Sequence, residues 1–159
     1  MKYFLLFTLI VFSSCKTTAY YVVRHTEKEV ATTMVTDVPL TAAGRQRAMA
    51  LKDSLDKKVS HLFSTDFQRT RGTAAPLVIA GIRNIVIYNP RDTAFITRLK
   101  SMNYKGILVV GHSNTVDEIV NGLLGRSELN DLPETQYGDL FIVQKKNGNY
   151  SFSRSRFGN

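Results

Sequence analysis

Tyr20-Tyr21-Val22-Val23, followed at once by Arg24-His25, is a short apolar, β-branched run that ends in two basic residues. A run this short, without polar alternation, suits a strand buried on both faces, and such strands belong to parallel sheets. Similar runs return downstream. His61-Leu62-Phe63-Ser64 reads as a second strand and Ile85-Val86-Ile87-Tyr88 as a third, stopped by Asn89-Pro90. Ile107-Leu108-Val109-Val110 reads as a fourth, running into Gly111-His112. Helical patterns fill the gaps. Thr41 caps a helix reaching about Lys57, with Ala48, Leu51 and Leu55 at helical spacing. Further helices are expected from about Asp66 to Ala80, ended by Gly81, and from Asp92 or Thr93 to Ser101. A last one runs from Thr115 to Leu124, with Gly125 behind it. Leu140 to Gln144 and Tyr150 to Arg154 flank Asn147-Gly148, a hairpin signal. Repeated strand–helix units predict a three-layer α/β/α sandwich around a mostly parallel sheet.

The composition agrees with one globular domain. Of 159 residues, 43% are hydrophobic and 21% charged, which excludes collagen-like, low-complexity and wholly disordered chains. A single cysteine leaves no internal disulfide to form. Lys plus Arg number 21 against 13 acids, and the resulting +8 favours anionic partners without saying which. The N-terminus reads separately. Lys2, the apolar run Tyr3 to Phe12 and then Ser13-Ser14-Cys15 have the layout of a secretory signal. That run falls short of the about 20 apolar residues a membrane span needs. Phe12-Ser13-Ser14-Cys15 resembles a bacterial lipobox, although Phe12 stands where Leu is usual. The resemblance implies a signal peptide over residues 1–14, a lipidated Cys15 with a tether over residues 15–19, and a domain over residues 20–159. The mature protein is then expected in the bacterial cell envelope, exported and held on a membrane through its lipid anchor, on the periplasmic or surface face.

Ligands of open α/β sheets bind outside the carboxyl ends of the strands. Strand one ends there in Arg24-His25, strand two passes through Ser64-Thr65 to Arg69, and strand four ends in Gly111-His112. Two arginines and two histidines at one sheet edge suit a phosphate, which matches guanidinium forks and protonated imidazole. A metal would want carboxylates or thiolates, and adjacent guanidinium groups repel it, so no metal and no other cofactor is expected. Nucleic acid is not expected either, since no aromatic platform or helix-borne basic stripe is evident. No Walker-type or Gly-x-Gly-x-x-Gly loop marks a nucleotide cradle.

Arg24-His25-Thr26-Glu27, Arg69 within Ser64-Thr65-Asp66-Phe67-Gln68-Arg69-Thr70, and His112 within Gly111-His112-Ser113 together resemble the histidine phosphatase superfamily, also called phosphoglycerate mutase-like. Leu40-Thr41-Ala42-Ala43-Gly44 and Thr70 to Ala74 resemble that family's helix openings. Thr26 departs from the usual Gly after the first histidine. The resemblance implies His25 as a nucleophile that forms a phosphohistidine, with Arg24, Arg69 and His112 binding the phosphoryl oxygens. Attack requires the far nitrogen of His25 to be fixed, and a backbone carbonyl is expected to do so. Lys28 is a further candidate at the mouth. Family members carry a carboxylate acid, and Ser113 stands directly after His112 where some have one. Asp92, at the end of strand three, is the first candidate in its place and is equally a candidate N-cap, with Glu27 and Glu118 as fallbacks. Without a capping insertion between Arg69 and His112, the loop from Glu29 to Pro39 is expected to cover the site. The expected substrate is a phosphorylated small molecule or a phosphoprotein. A mutase, or an envelope protein that binds phospho-ligands without turnover, remains an alternative. Lys145-Lys146 and Arg154-Ser155-Arg156 read as one basic end.

Overall fold

The computed structural model describes residues 17–81 and 84–158, and in them strands and helices alternate as expected. The order is β1 Thr17–Arg24, α1 Ala42–Leu55, β2 His61–Ser64, α2 Gln68–Ile79 and β3 Ile85–Ile87, then α3 Phe95–Ser101, β4 Gly106–Gly111, α4 Val116–Leu124, β5 Asp139–Lys146 and β6 Asn149–Arg156. All six strands form one sheet in the order β3-β2-β4-β1-β5-β6. The first four pair in parallel, and β5 and β6 close one side as an antiparallel hairpin. Alternate residues of the central strands feed two cores. Tyr20, Val22, Phe63, Ile107 and Val109 pack with Phe95 and Leu99 of α3 and with Ile119 and Leu123 of α4. Val23, Leu62, Leu108 and Val110 pack with Leu51 and Leu55 of α1 and with Ala74 and Leu77 of α2. Burial on both faces is why the central strands carry apolar runs rather than alternation. The three-layer α/β/α sandwich is the observed architecture.

Thr41 caps α1, its hydroxyl accepting the Gly44 N–H at 3.0 Å. Gly44 is needed because a Cβ there would lie 2.0 Å from the Glu27 carbonyl oxygen. This contact locks α1 against the segment that follows His25. Asn147 and Gly148, at φ 51° and 82°, make the β5–β6 turn that their sequence signals.

Two boundaries and the expected basic end are corrected. β1 begins at Thr17, because Thr17 and Thr18 pair with Lys146 and Lys145, so part of the expected tether belongs to the sheet. α3 begins at Phe95, later than Asp92 or Thr93. The basic end divides: Lys145 and Lys146 lie where β1 starts, whereas Arg154 and Arg156 lie where it ends and bind buried Asp139. The expected signal peptide and Cys15 lie outside the described residues. Among the described residues no helix is long and apolar enough to cross a membrane.

Candidate active site

The parallel register carries β1 and β4 side by side to their ends, where the His25 N–H donates to the Gly111 carbonyl at 3.0 Å. His25 and His112 thereby meet edge to face, their ring centroids 5.5 Å apart. His25 is only 3% exposed. Its Nδ1 lies 2.8 Å from the carbonyl oxygen of Thr26, and a carbonyl only accepts, so Nδ1 carries the proton and Nε2 holds the free lone pair. Thr26 is itself held, its hydroxyl donating to the Gly44 carbonyl and its N–H to the Thr73 hydroxyl of α2. Threonine in place of the usual glycine thus adds anchors and leaves the imidazole untouched.

His112 is fixed by a hydroxyl relay. Its Nε2 lies 2.8 Å from the Thr65 hydroxyl, which donates onward to Thr70, and the Thr70 hydroxyl donates to the Thr65 carbonyl. Thr65 therefore accepts from Nε2, leaving Nδ1 of His112 for a ligand. Phe67 packs edge-on against His112 and under the Arg69 guanidinium, 4.3 Å from its centroid. Arg69 reaches back to the Thr36 carbonyl. Arg24, buried behind the cavity wall, donates from Nη1 to the Pro133 and Gln136 carbonyls at 2.8 and 3.1 Å. Tyr137 lies 4.4 Å below its guanidinium. The Nε groups of Arg24 and Arg69 are buried without an acceptor among the described residues. Burial thus leaves one N–H of each guanidinium without an acceptor, which is unfavourable for a cationic group.

Burial first, and then the neighbouring Arg24, His112 and Arg69 charges, push the His25 imidazole down to about 3. Burial followed by Arg69 and Arg24 takes His112 down to about 4. His25 thus stays neutral at neutral pH. A stability consequence follows. Both histidines take up protons less readily folded than unfolded, so stability is full above about pH 6.5 and falls as pH drops towards the folded values. Urea denaturation at pH 7 and pH 5 is expected to show a loss of about 3 kcal/mol at the lower pH. A His25→Gln/His112→Gln variant should lose much less, and an equal loss would assign the effect to other groups.

A cavity of about 720 Å³ opens at this edge, lined by His25, Lys28, Phe67, Arg69, His112 and Glu134 among others. Of the expected residues, His25, Arg69, His112 and Lys28 line it directly, and Arg24 reaches it through Glu134. Asp92 does not. Its carboxylate accepts the Ala94 N–H at 2.9 Å and the Arg98 guanidinium at 2.6 Å, and it borders an adjoining cavity that shares Pro90, Arg91, Thr115 and Glu118 with this one. It stays before α3 because these two donors satisfy it locally. Glu27 is likewise engaged by Arg47 at 2.8 Å, while Glu118 lies on the cavity wall. The loop from Glu29 to Pro39 is also reassigned. Asp37 accepts the Gln68 N–H at 2.8 Å and so caps α2 from outside, and residues 29–39 do not line the cavity. The outer wall comes instead from residues 131–134.

Glu134 is the residue that sequence reasoning missed. One carboxylate oxygen lies 2.7 Å from Arg24 Nη2 and the other accepts from the Ser113 hydroxyl. The Ser113 hydrogen bond, with Arg24 and Lys28, holds its carboxyl below the usual range. No local pattern marks it, because it lies in an irregular stretch whose course is set by distant contacts. Arg24 holds the Pro133 and Gln136 carbonyls, and Gln136 donates to Asp139 at 2.6 Å. Asp139 is in turn clamped by Arg154 at 2.9 Å. This gives Tyr137-Gly138-Asp139 the structural role that its sequence did not disclose. Among the described residues no three His, Cys, Asp or Glu side chains gather as a metal site requires.

Comparison with known proteins bears on this site. Residues 20–87 match the family model of the histidine phosphatase superfamily (branch 1). No curated protein matches the chain. Among solved structures, the protein histidine phosphatase SixA complexed with tungstate is similar at a TM-score of 0.66 and 14% identity, covering 87% of this chain and 96% of that one. Phosphoserine phosphatase from Entamoeba histolytica, in complex with 3-phosphoglyceric acid, is similar at 0.61 and 16%, covering 89% and 98%. Mycobacterial glucosyl-3-phosphoglycerate phosphatase is similar at 0.68 and 11%, covering 89% and 100%. At these identities the likeness is one of fold. The family model thus matches residues 20–87, and the fold of these solved structures is shared over most of the chain.

Proposed function

We propose that this chain is a histidine phosphatase, a metal-independent phosphomonoester hydrolase that works through a phosphohistidine on His25. The observation that carries the reading is the state of His25: buried, neutral, its Nδ1 bound to the Thr26 carbonyl and its Nε2 unencumbered beside a second histidine and two arginines. Nε2 attacks phosphorus in line, the P–O bond to the alcohol breaks, and the phosphoryl group is held on the ring. Arg24, Arg69 and His112 bind its equatorial oxygens. The dianion supplies the negative charge that His112 lacks in the free protein, so His112 takes up a proton and donates from both nitrogens. Water then attacks phosphorus, releasing inorganic phosphate and restoring neutral His25.

Glu134 is the acid in this scheme. In the free protein it occupies the Arg24 fork and is held anionic. An incoming phosphoryl group takes over Arg24 and places negative charge beside the carboxylate, and both changes favour its protonation. It then donates that proton to the departing alkoxide. Glu134→Gln is expected to slow hydrolysis of an alkyl phosphate such as glycerol 2-phosphate by ~100-fold while changing p-nitrophenyl phosphate hydrolysis little, because a nitrophenolate leaves without a proton. Equal effects on both substrates would remove Glu134 as acid, and Asp92→Asn should alter neither.

The proposed substrate class is a phosphorylated small molecule or a phosphoprotein. Support comes from the similar structures, one a protein histidine phosphatase and another a phosphoserine phosphatase. The sequence of residues 1–15 supports an exported protein attached to the bacterial envelope through lipidated Cys15. The test is phosphate release from p-nitrophenyl phosphate with and without EDTA. EDTA-resistant turnover supports the hydrolase. Turnover only with a bisphosphate would indicate a mutase, and vanadate binding without turnover a binding protein.

A further inference from the structure

The lysines of this protein are segregated. From Thr17 onward the chain has eight, and Lys28 is the only one at the catalytic edge of the sheet. The other seven gather at the opposite edge, where the parallel strands begin. Lys52 is in the last turn of α1, and Lys57 and Lys58 lie in the loop that leads to β2. Lys100 is in the last turn of α3, and Lys105 immediately precedes β4. Lys145 and Lys146 end β5, opposite Thr18 and Thr17. Carboxylates are few there. Asp53 is matched by Lys52 at 2.6 Å and Glu128 by Arg126 at 2.9 Å, leaving Asp56 against the remaining lysines. Three of them, Lys57, Lys58 and Lys105, line a cavity with Thr17, Ala19 and Tyr21 at the start of β1, and Lys145 and Lys100 flank Tyr150. Tyr104, 41% exposed, lies beside them and stacks on His61.

We infer that this edge is a docking face for an anionic lipid bilayer. Two independent features select a membrane over other polyanions. Cys15 and the apolar run ending at Phe12 directly precede Thr17 in the sequence, so any membrane attachment through them delivers the bilayer to the lysines. Lysines near an anionic surface each add roughly fivefold to partition, and a tyrosine among them suits the headgroup region. The orientation has a functional consequence, which rests on the phosphatase reading. β1 runs eight residues from the lysine edge to Arg24, so the catalytic edge stands about 25 Å away. The substrate is then a phosphoryl group carried in the aqueous space, on a soluble molecule or another protein, rather than a headgroup of the same bilayer.

The experiment uses the full chain with vesicles of phosphatidylcholine alone or mixed with phosphatidylglycerol. Partition onto the anionic vesicles is expected to be at least tenfold stronger, to weaken with added salt, and to lose that preference in a Lys57→Glu/Lys58→Glu/Lys105→Glu/Lys146→Glu variant. The matching Lys→Gln variant should lose part of it. Phosphate release by both variants should be unchanged, since none of the four residues lines the catalytic cavity. Dyes placed on Lys146→Cys or Asn114→Cys in a Cys15→Ser background report orientation, with headgroup quenching expected only at position 146. Equal partition of wild type and variants, equal quenching at both positions, or a preference for DNA over anionic vesicles would overturn the docking face. A protein that partitions as expected but releases no phosphate would sink the hydrolase alone.

Discussion

Replacing His25 by alanine is expected to lower phosphate release by roughly 10⁴-fold or more, because nothing else in the site supplies a nucleophile. The geometry leaves no substitute. His112, the other imidazole of the pair, is bound through Nε2 to Thr65, and its placement by the Thr65–Thr70 relay suits a donor to the phosphoryl oxygens. Rapid quenching of wild type with a phosphorylated substrate should trap a phosphoenzyme that is labile in acid and stable in base, the behaviour of a P–N bond, and the label should vanish in His25→Ala. His112→Ala should still trap some label, since it removes a stabilising donor and leaves the attacking atom in place. Activity of His25→Ala within tenfold of wild type, or a label that survives in it, would remove His25 from the chemistry. Because His25 costs stability at acid pH, the variant should be folded, and more acid-resistant than the parent.

The second large effect is at Arg24. Arg24→Lys is expected to reduce kcat/KM by about 10²- to 10³-fold, nearly as much as Arg24→Met, even though lysine keeps the charge. The guanidinium works as a fork: Nη1 serves the Pro133 and Gln136 carbonyls, Nη2 meets Glu134, and the flat face lies on Tyr137. A point charge on a flexible stem cannot hold the wall and the phosphoryl group together. Losing these bonds frees residues 133–136 from the guanidinium, with a stability cost of about 1 kcal/mol by urea denaturation. Vanadate affinity separates the two roles. A variant that denatures earlier but binds vanadate as wild type does would make Arg24 a purely structural residue.

Much of this arrangement is legible in the chain because it is local. The Tyr20–Val23 and Ile107–Val110 runs are buried on both faces, and that burial is written as uninterrupted apolar sequence. Thr41 marks the start of α1 through a cap on the Gly44 N–H, three residues on. Arg24, His25, Arg69 and His112 stand at or just beyond strand ends, so the parallel register alone brings them to one edge. Asp92 also follows a strand end, yet it does not line the cavity. A strand-end position gives an edge but not a direction, and the Asp92 carboxylate is taken up by the Ala94 N–H and Arg98.

Residue types and their order along the chain determined the sandwich and the gathering of two histidines and two arginines at one sheet edge, because periodicity, capping and strand ends are properties of neighbouring residues. Only the tertiary structure decided which carbonyl orients His25, that Glu134 rather than Asp92 faces Arg24, that residues 131–134 rather than 29–39 wall the cavity, and that seven lysines share the far edge. Each of these depends on contacts between residues far apart in sequence, such as Arg24 with Pro133 and Thr17 with Lys146. Their energy exists only once the sheet has closed.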